Sequence, residues 1–300
     1  MRVFVTGATG FVGSAVVPDL ISAGHQVLGL TRSDAGAKAL AAAGAEPHHG
    51  ELTDLDSLER GAAACDGVIH LAFIHDFSKF MENCAIEGRA LGAITEVLEG
   101  TGRPLVVTSG TGVVAAHGAQ ATEDTPVMTD FPRAISETSC DAAAAKGIRA
   151  MIIRLPPITH DVGDGGFLPP LINIAREKGV AAYVGDGANR WPAVHRTDAA
   201  SLYRLALEKG RAGARYHAIA EEGVPFKTIA EAIGRGLGLP VRSLTTEEAP
   251  AHFGFFNLFA GADISASSAK TRAELGWSAK GAGLIADIDN ADLAAPAHGA

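Results

Sequence analysis

The chain has 300 residues, 47% of them hydrophobic, with 36 glycines and a formal net charge of −9. That acidic balance argues against the clustered Lys/Arg face of a nucleic-acid binder. No uncharged apolar run is long enough to span a bilayer, and no basic segment leads into an apolar one as in a secretory signal. The expectation is a cytoplasmic α/β protein that acts on a small molecule, not on nucleic acid or membrane. Cys65, Cys84 and Cys140 are an odd set without metal-ligand spacing. They read as reduced packing residues, and no metal site is expected.

The first apolar run, Val3-Phe4-Val5, leads into Thr6-Gly7-Ala8-Thr9-Gly10-Phe11-Val12-Gly13. Helical spacing follows at Phe11, Val12, Ala15, Val16 and Leu20. Strand, glycine turn and helix in that order give a G-x-x-G-x-x-G pattern its meaning. Gly7 permits a tight turn, Gly10 lets the backbone approach a pyrophosphate, and Gly13 lets helix and strand pack closely. The helix start offers free N–H groups to an anion. Thr6, Gly7, Thr9, Gly10, Phe11, Val12 and Gly13 are therefore candidate cofactor contacts.

A second strand is expected over residues 26–31, and the residues after it decide the cofactor. NAD sites place a carboxylate there for the ribose hydroxyls. This chain has Thr31-Arg32-Ser33. Arg32 suits a 2′-phosphate and Ser33 can donate to it, which favours NADP over NAD. A helix over 34–43, a short strand near 45–48 and a helix over 56–64 follow, with Glu51 and Leu52 where an adenine edge would lie. The strand at 67–72 ends in Leu71 and Ala72, near the nicotinamide end. His75, beside Asp76, is a candidate proton donor. A helix is expected over 83–99. The strand at 104–109 leads into Gly110-Thr111-Gly112, where the Ser109 and Thr111 hydroxyls either face a substrate carbonyl or serve the turn.

TGATGFVG, VIHLA, VVTSGTGVV and RLPPITH come in an order and spacing that resemble an extended short-chain dehydrogenase/reductase of the NAD-dependent epimerase/dehydratase superfamily. The resemblance covers residues 1–285. It implies an α/β fold, a Rossmann-type doubly wound parallel sheet of about seven strands with a small C-terminal substrate-binding region. The implied core is 1–155, completed by 190–221. Segments 156–189 and 222–288 would form the substrate region, and 289–300 a loose tail. A homodimer through helices 83–99 and 133–146 is also implied.

The family's Tyr-x-x-x-Lys pair is missing. The tyrosines are Tyr183, Tyr203 and Tyr216, all downstream of the segment Phe131-Pro132-Arg133-Ala134-Ile135-Ser136-Glu137-Thr138-Ser139-Cys140 where the pair belongs. Depending on how Ser136 is placed, the Tyr position falls on Arg133, Ile135 or Ser136, and the Lys position on Glu137, Ser139 or Cys140. A general acid contributes about a hundred- to ten-thousand-fold, so hydride transfer survives if another group, or water, delivers the proton and a side chain polarises the carbonyl. Ser109, Thr111, Arg133 and His75 are the candidates, Ser109 and Thr111 first.

After a strand over 148–154, Leu155, Pro156 and Ile158 are candidate backbone contacts to the cofactor, and His160 faces either substrate or water. Residues 161–166 read as a flexible loop and 167–178 as an amphipathic helix. Asn189 and Trp191 either line the pocket or brace it. His195 is expected in the core, and Thr197 or Asp198 at the cap of the next helix. A last parallel strand is expected over 215–220, then a helix over 225–237, a short strand over 241–244 and a helix over 267–275. The phenylalanine-rich stretch 252–259 is either a core helix face or, through Phe255, an apolar lid. The expected activity is NADPH-dependent reduction of a small, apolar carbonyl or activated double bond. The alternatives are an NADP-binding sensor without turnover and a sugar-nucleotide epimerase/dehydratase.

Overall fold

The computed structural model describes residues 1–114, 120–161 and 166–293. The chain opens as alternating strands and helices: β1 (Arg2–Thr6), α1 (Gly13–Ser22), β2 (Gln26–Thr31), α2 (Asp34–Ala42), β3 (Glu46–His49), α3 (Leu55–Ala63), β4 (Gly67–His70), α4 (Phe80–Leu98), β5 (Pro104–Gly110), α5 (Ile135–Ala145) and β6 (Arg149–Leu155). A second region follows with β7 (Ile158–His160), α6 (Leu168–Lys178), β8 (Ala181–Val184) and β9 (Arg190–His195). α7 (Arg196–Lys209) and β10 (Arg215–His217) return to the first region. β11 (Glu221–Pro225), α8 (Phe226–Leu237), β12 (Val241–Leu244), α9 (Ala249–Phe253), α10 (Asn257–Ala260), α11 (Ala269–Leu275) and α12 (Leu284–Asn290) complete the chain.

Seven strands pair in the order β10-β6-β5-β4-β1-β2-β3, every neighbour parallel. Val3, Phe4 and Val5 of β1 and Leu105, Val106 and Val107 of β5 are fully buried. Such unbroken apolar runs mark strands covered on both faces. On one face α1 and α7 pack Val16, Leu20, Leu202 and Ala206 against Val3, Val5, Ile69 and Val106. On the other, α3 and α4 pack Leu58, Leu91, Ile94 and Leu98 against Phe4, Val68, Leu105 and Val107. The three α4 side chains alone contribute on the order of 5–9 kcal/mol before ordering entropy is counted. This is the doubly wound Rossmann architecture that the sequence implies. The strand order reverses between β1 and β4, which opens a crevice at their carboxyl ends.

β7 pairs in parallel with β9, and β9 antiparallel with β11; β8 and β12 form a separate parallel pair. Of the 190–221 stretch expected to complete the core, α7 and β10 do so. β9 instead joins the small sheet, because its Trp191 and Ala193 pack with Ile158, Val224 and Phe226 of the second region.

Several expectations are corrected. α4 begins at Phe80, not Asn83, because Asp76 accepts from the Ser78 amide (3.0 Å) and seeds a lead-in turn. α7 is capped by His195, whose ring accepts from the Thr197 amide (3.3 Å), not by Thr197 or Asp198. Asp198 is drawn inward instead and accepts from the Lys280 (2.8 Å) and Gly281 (2.9 Å) amides. The tail is not loose from 289. Arg235 pairs with Asp289 (2.8 Å), and Leu293 is buried against Gly236. Loop residues 162–165 and tail residues 294–300 lie outside the described residues.

One charged cluster ties the helical layer to the sheet. Glu137 of α5 and Arg154 of β6 are both wholly buried. Arg154 donates Nε to Oε1 and Nη2 to Oε2 of Glu137, each at 2.8 Å. Arg215 Nε (3.0 Å) and Ser109 Oγ (3.0 Å) donate to the same carboxylate. Burial pushes the Glu137 pKa up, but the Arg154, Arg215 and Ser109 donors outweigh it and hold the carboxyl below its ordinary value. The cluster therefore stabilises the fold at pH above the unfolded carboxylate pKa, and loses that contribution as pH falls through the folded one. Glu137→Ala strands a buried arginine, and urea unfolding at pH 7 should show a loss of about 3–5 kcal/mol. A midpoint within error of the native chain would refute the role given to this cluster.

Candidate active site

The crevice is built around the β1–α1 turn. Gly7 has φ 67°, and a Cβ there would stand 2.8 Å from the Ala72 nitrogen. A Cβ on Gly13 would stand 2.0 Å from the Gly7 carbonyl oxygen. No side chain fits at either place, so turn, helix start and the end of β4 meet backbone to backbone. Thr6 is buried; its Oγ1 lies 3.0 Å from His70 Nδ1 and accepts from the Ala72 amide (3.3 Å). The Gly10 amide closes the turn on Gly7 (3.0 Å). The Phe11 and Val12 amides have no acceptor among the described residues, and α1 has no side-chain cap. Free amides, a helix N-terminus and clearances only glycine meets are what a pyrophosphate needs, so the residues present fit a dinucleotide.

Arg32 is exposed just past β2 and has no hydrogen-bond or ionic partner among the described residues. Ser33 caps α2, accepting from the Gly36 amide (3.1 Å), which leaves its hydroxyl proton available. Glu51 is exposed and accepts from Thr53 (2.7 Å), whereas Leu52 is buried in the core. Leu71 and Ala72 are half-buried beside the glycine turn. Leu155 ends β6, Pro156 follows it, and Ile158 is fully buried in β7.

The catalytic candidates separate. Ser109 is buried, its proton engaged by Glu137 (3.0 Å). Thr111 is buried at the end of β5 and its Oγ1 has no partner among the described residues. His75 is exposed on the β4–α4 loop, edge-on to Phe73 (5.3 Å between centroids). Desolvation by neighbouring rings and the Arg133 charge hold its pKa below the ordinary value, so it is neutral at pH 7.

Arg133 sits on the turn before α5 with its guanidinium 4.0 Å above the Phe73 ring. Nη1 donates to Glu87 of α4 and to Ser136 of α5. Nε and Nη2 have no partner among the described residues. Burial lowers its pKa to about 10, so it remains a cation at neutral pH. None of the tyrosines stands in for the missing one. Tyr203 shares its Oη with Thr108 (2.8 Å) inside the core, where burial raises its pKa. Tyr216 Oη accepts from the Arg211 amide (3.1 Å), and Tyr183 lies on β8 under Lys227.

Of the substrate candidates, Asn189 Nδ2 donates to the Ala260 (3.0 Å) and Ala262 (3.1 Å) carbonyls, and Trp191 is fully buried against Phe226. His160 is buried, with Nδ1 2.6 Å from Asp287 and its ring edge-on to His195. His195 is half-buried, not in the core, with Nδ1 on Thr197 (2.7 Å). Phe255 is 57% exposed and faces Phe77 across 6.3 Å, while Phe256 and Phe259 pack inward on Phe167. The phenylalanine stretch is thus part core and part rim.

Sequence reasoning missed Glu87, although the signal was present. Cys84, Glu87, Leu91, Ile94 and Leu98 follow helical spacing, which puts an acid on the buried stripe. It also missed α12, β7, β8 and β11, whose short runs carry little periodicity. Among the described residues no group of His, Cys, Asp or Glu could hold a metal, and no helix is long and apolar enough to cross a membrane.

Residues 3–220 match the NAD dependent epimerase/dehydratase family. An uncharacterized protein of Schizosaccharomyces pombe is 52% identical over 289 residues, 96% of this chain and 98% of that one. A 2-alkyl-3-oxoalkanoate reductase of Stenotrophomonas maltophilia is 28% identical over 80% of this chain and 77% of its own. The crystal structure of DesIV, a dTDP-glucose 4,6-dehydratase from Streptomyces venezuelae with NAD and TYD bound, superposes with a TM-score of 0.75 at 21% identity over 96% of each chain, a likeness of fold. The chain belongs to the NAD-dependent epimerase/dehydratase family, as an atypical extended short-chain dehydrogenase/reductase.

Proposed function

We propose that the protein is a cytoplasmic NADPH-dependent reductase of a small, apolar carbonyl or activated double bond. The observation that carries this reading is Arg133, a cation with N–H donors unengaged among the described residues, lying on Phe73 just past β4. The opening amides of α1 would hold the pyrophosphate, Arg32 and Ser33 the 2′-phosphate, and Leu71, Ala72, Leu155, Pro156 and Ile158 the nicotinamide end. Thr6, Gly7, Thr9 and Gly13 shape that crevice, and Glu51 and Leu52 border the adenine. When bound, the cofactor supplies the hydride.

Arg133 suits hydride addition to a carbonyl: it puts negative charge on the substrate oxygen, which a fixed cationic donor stabilises. Thr111 supplies a second donor, its hydroxyl, to the same oxygen. His75, neutral at pH 7, suits passing a proton in from water. Phe77 and Phe255 form an apolar rim, and His160, Asn189 and Trp191 support the pocket from the second region. The 2-alkyl-3-oxoalkanoate reductase among the relatives supports ketone reduction. A homodimer through α4 and α5 belongs to this proposal.

A nucleotide sensor without turnover is the second reading, favoured by the engagement of Ser109 with Glu137. NADPH oxidation with a panel of ketones, enones and aldehydes, run beside NADPH and NADH binding, separates the two. Turnover of at least one class is expected; tight binding with no turnover selects the sensor. Arg32→Glu should weaken NADPH by about 10- to 100-fold and leave NADH within a few-fold. Equal losses for both would remove Arg32 from the 2′-phosphate. Arg133→Met should lower kcat/KM by about 100- to 1,000-fold with NADPH affinity unchanged. An unaltered rate would place the substrate oxygen elsewhere.

A further inference from the structure

Among the described residues two buried arginine–carboxylate pairs meet at α5: Glu137 of α5 with Arg154, and Glu87 of α4 with Arg133 on the turn before α5. In the first, Arg154 uses every nitrogen. Nε and Nη2 go to Glu137, and Nη1 goes to the Thr125 carbonyl (3.2 Å). That is the complete satisfaction expected of a structural pair. In the second, Glu87 holds Arg133 by Nη1 alone. Glu87 is wholly buried in the α4–α5 seam, where an unpaired carboxylate would cost several kcal/mol. Nε and Nη2 of Arg133 have no partner among the described residues.

Three contacts fix the guanidinium. Glu87 and Ser136 take Nη1, the Phe73 ring closes one face at 4.0 Å, and Ser136 Oγ donates in turn to Glu87 Oε1 (3.1 Å). Phe73 directly follows Ala72, which the Gly7 turn abuts. The guanidinium is thereby held on the residue that directly follows Ala72 at the crevice.

We propose that Glu87 is the positioning residue for Arg133, and that Glu87, Ser136 and Arg133 together take the place of the absent Tyr-x-x-x-Lys pair. This rests on the reductase reading, with Arg133 as the group that meets substrate. The work of Glu87 is geometric. It turns a flexible, strongly solvated side chain into a fixed fork whose free edge faces the reacting oxygen, and such pre-organisation is where much of an enzyme's rate resides. No covalent step is added: Arg133 stays protonated, and the product oxygen takes its proton from water.

The test compares Glu87→Ala with Glu87→Gln, which keeps an acceptor oxygen at the same reach. Glu87→Ala should lower kcat by about 30- to 100-fold, with KM and NADPH affinity within about three-fold. Glu87→Gln should recover to within about five-fold of the native kcat. A purely structural role predicts lower unfolding midpoints but equal kcat per folded molecule in both variants, and that result overturns the proposal. A second readout does not need turnover. In ¹⁵N NMR, the Arg133 side-chain signals, assigned by their loss in Arg133→Lys, should show restricted rotation in the native chain. Free rotation is expected in Glu87→Ala and restricted rotation again in Glu87→Gln. If no substrate turns over but this pattern appears, the reductase reading fails and the anchoring stands. If Arg133 rotates freely in the native chain, the anchoring fails whatever the activity. Should Glu87→Ala not fold, Ser136→Ala replaces it, with a smaller loss of kcat of about three- to ten-fold expected; an unchanged kcat counts against the proposal.

Discussion

The closeness of the β1–α1 turn to the end of β4 is the constraint on which the rest of the site depends. Gly7 and Gly13 leave no room for a side chain, so the turn, the helix start and Ala72 meet through backbone atoms. That contact fixes where the α1 amides point. It also fixes the path of Leu71, Ala72 and Phe73 as they leave the sheet. Phe73 then becomes the platform on which Arg133 lies. A larger residue at either glycine would displace the α1 amides and the path of residues 71–73 together.

α5 is the second organiser, and it works through neighbouring residues that face different ways. Glu137 turns to β6 and β10 and closes a fully satisfied ion network. Ser136 turns to α4 and joins the open pair of Glu87 and Arg133. On one side of the helix the guanidinium is fully engaged, and on the other Nε and Nη2 of Arg133 have no partner among the described residues. Charge is buried on both sides, and in both an arginine offsets the cost. The difference lies in how many guanidinium nitrogens the protein itself uses.

The second region is joined to the first by apolar packing, through Val194, Leu275 and Trp277, and by polar pins. Asp198 of α7 accepts from Lys280 and Gly281, and the Trp277 indole donates to the Asp198 carbonyl (3.0 Å). Phe77 and Phe255 meet at the rim, the first from the β4–α4 loop and the second from the α9–α10 segment. The rim is therefore assembled from two parts of the chain whose own cores are separate.

The fold was legible because its signals are local. The apolar runs of β1, β4, β5 and β6, the glycine spacing after β1 and the helical stripes of α1 and α4 each follow from the chemistry of a few consecutive residues, and the parallel sheet follows from their alternation. Helix starts shifted by a few residues where a side chain such as Asp76 or His195 bonded a nearby amide, a choice that several neighbours compete for. The contacts of Ser109, Arg133 and Glu87 were not legible. A serine at a strand end reads the same whether its proton goes to a substrate or to a glutamate 28 positions on. An arginine before a helix reads the same whether its fork is closed or open. The sequence by itself determined the layers, the crevice and the kind of cofactor they fit, because backbone periodicity and glycine clearance are properties of short segments. Only the tertiary structure decided which polar groups are engaged and which are left open, because that depends on partners brought together from distant positions in the chain.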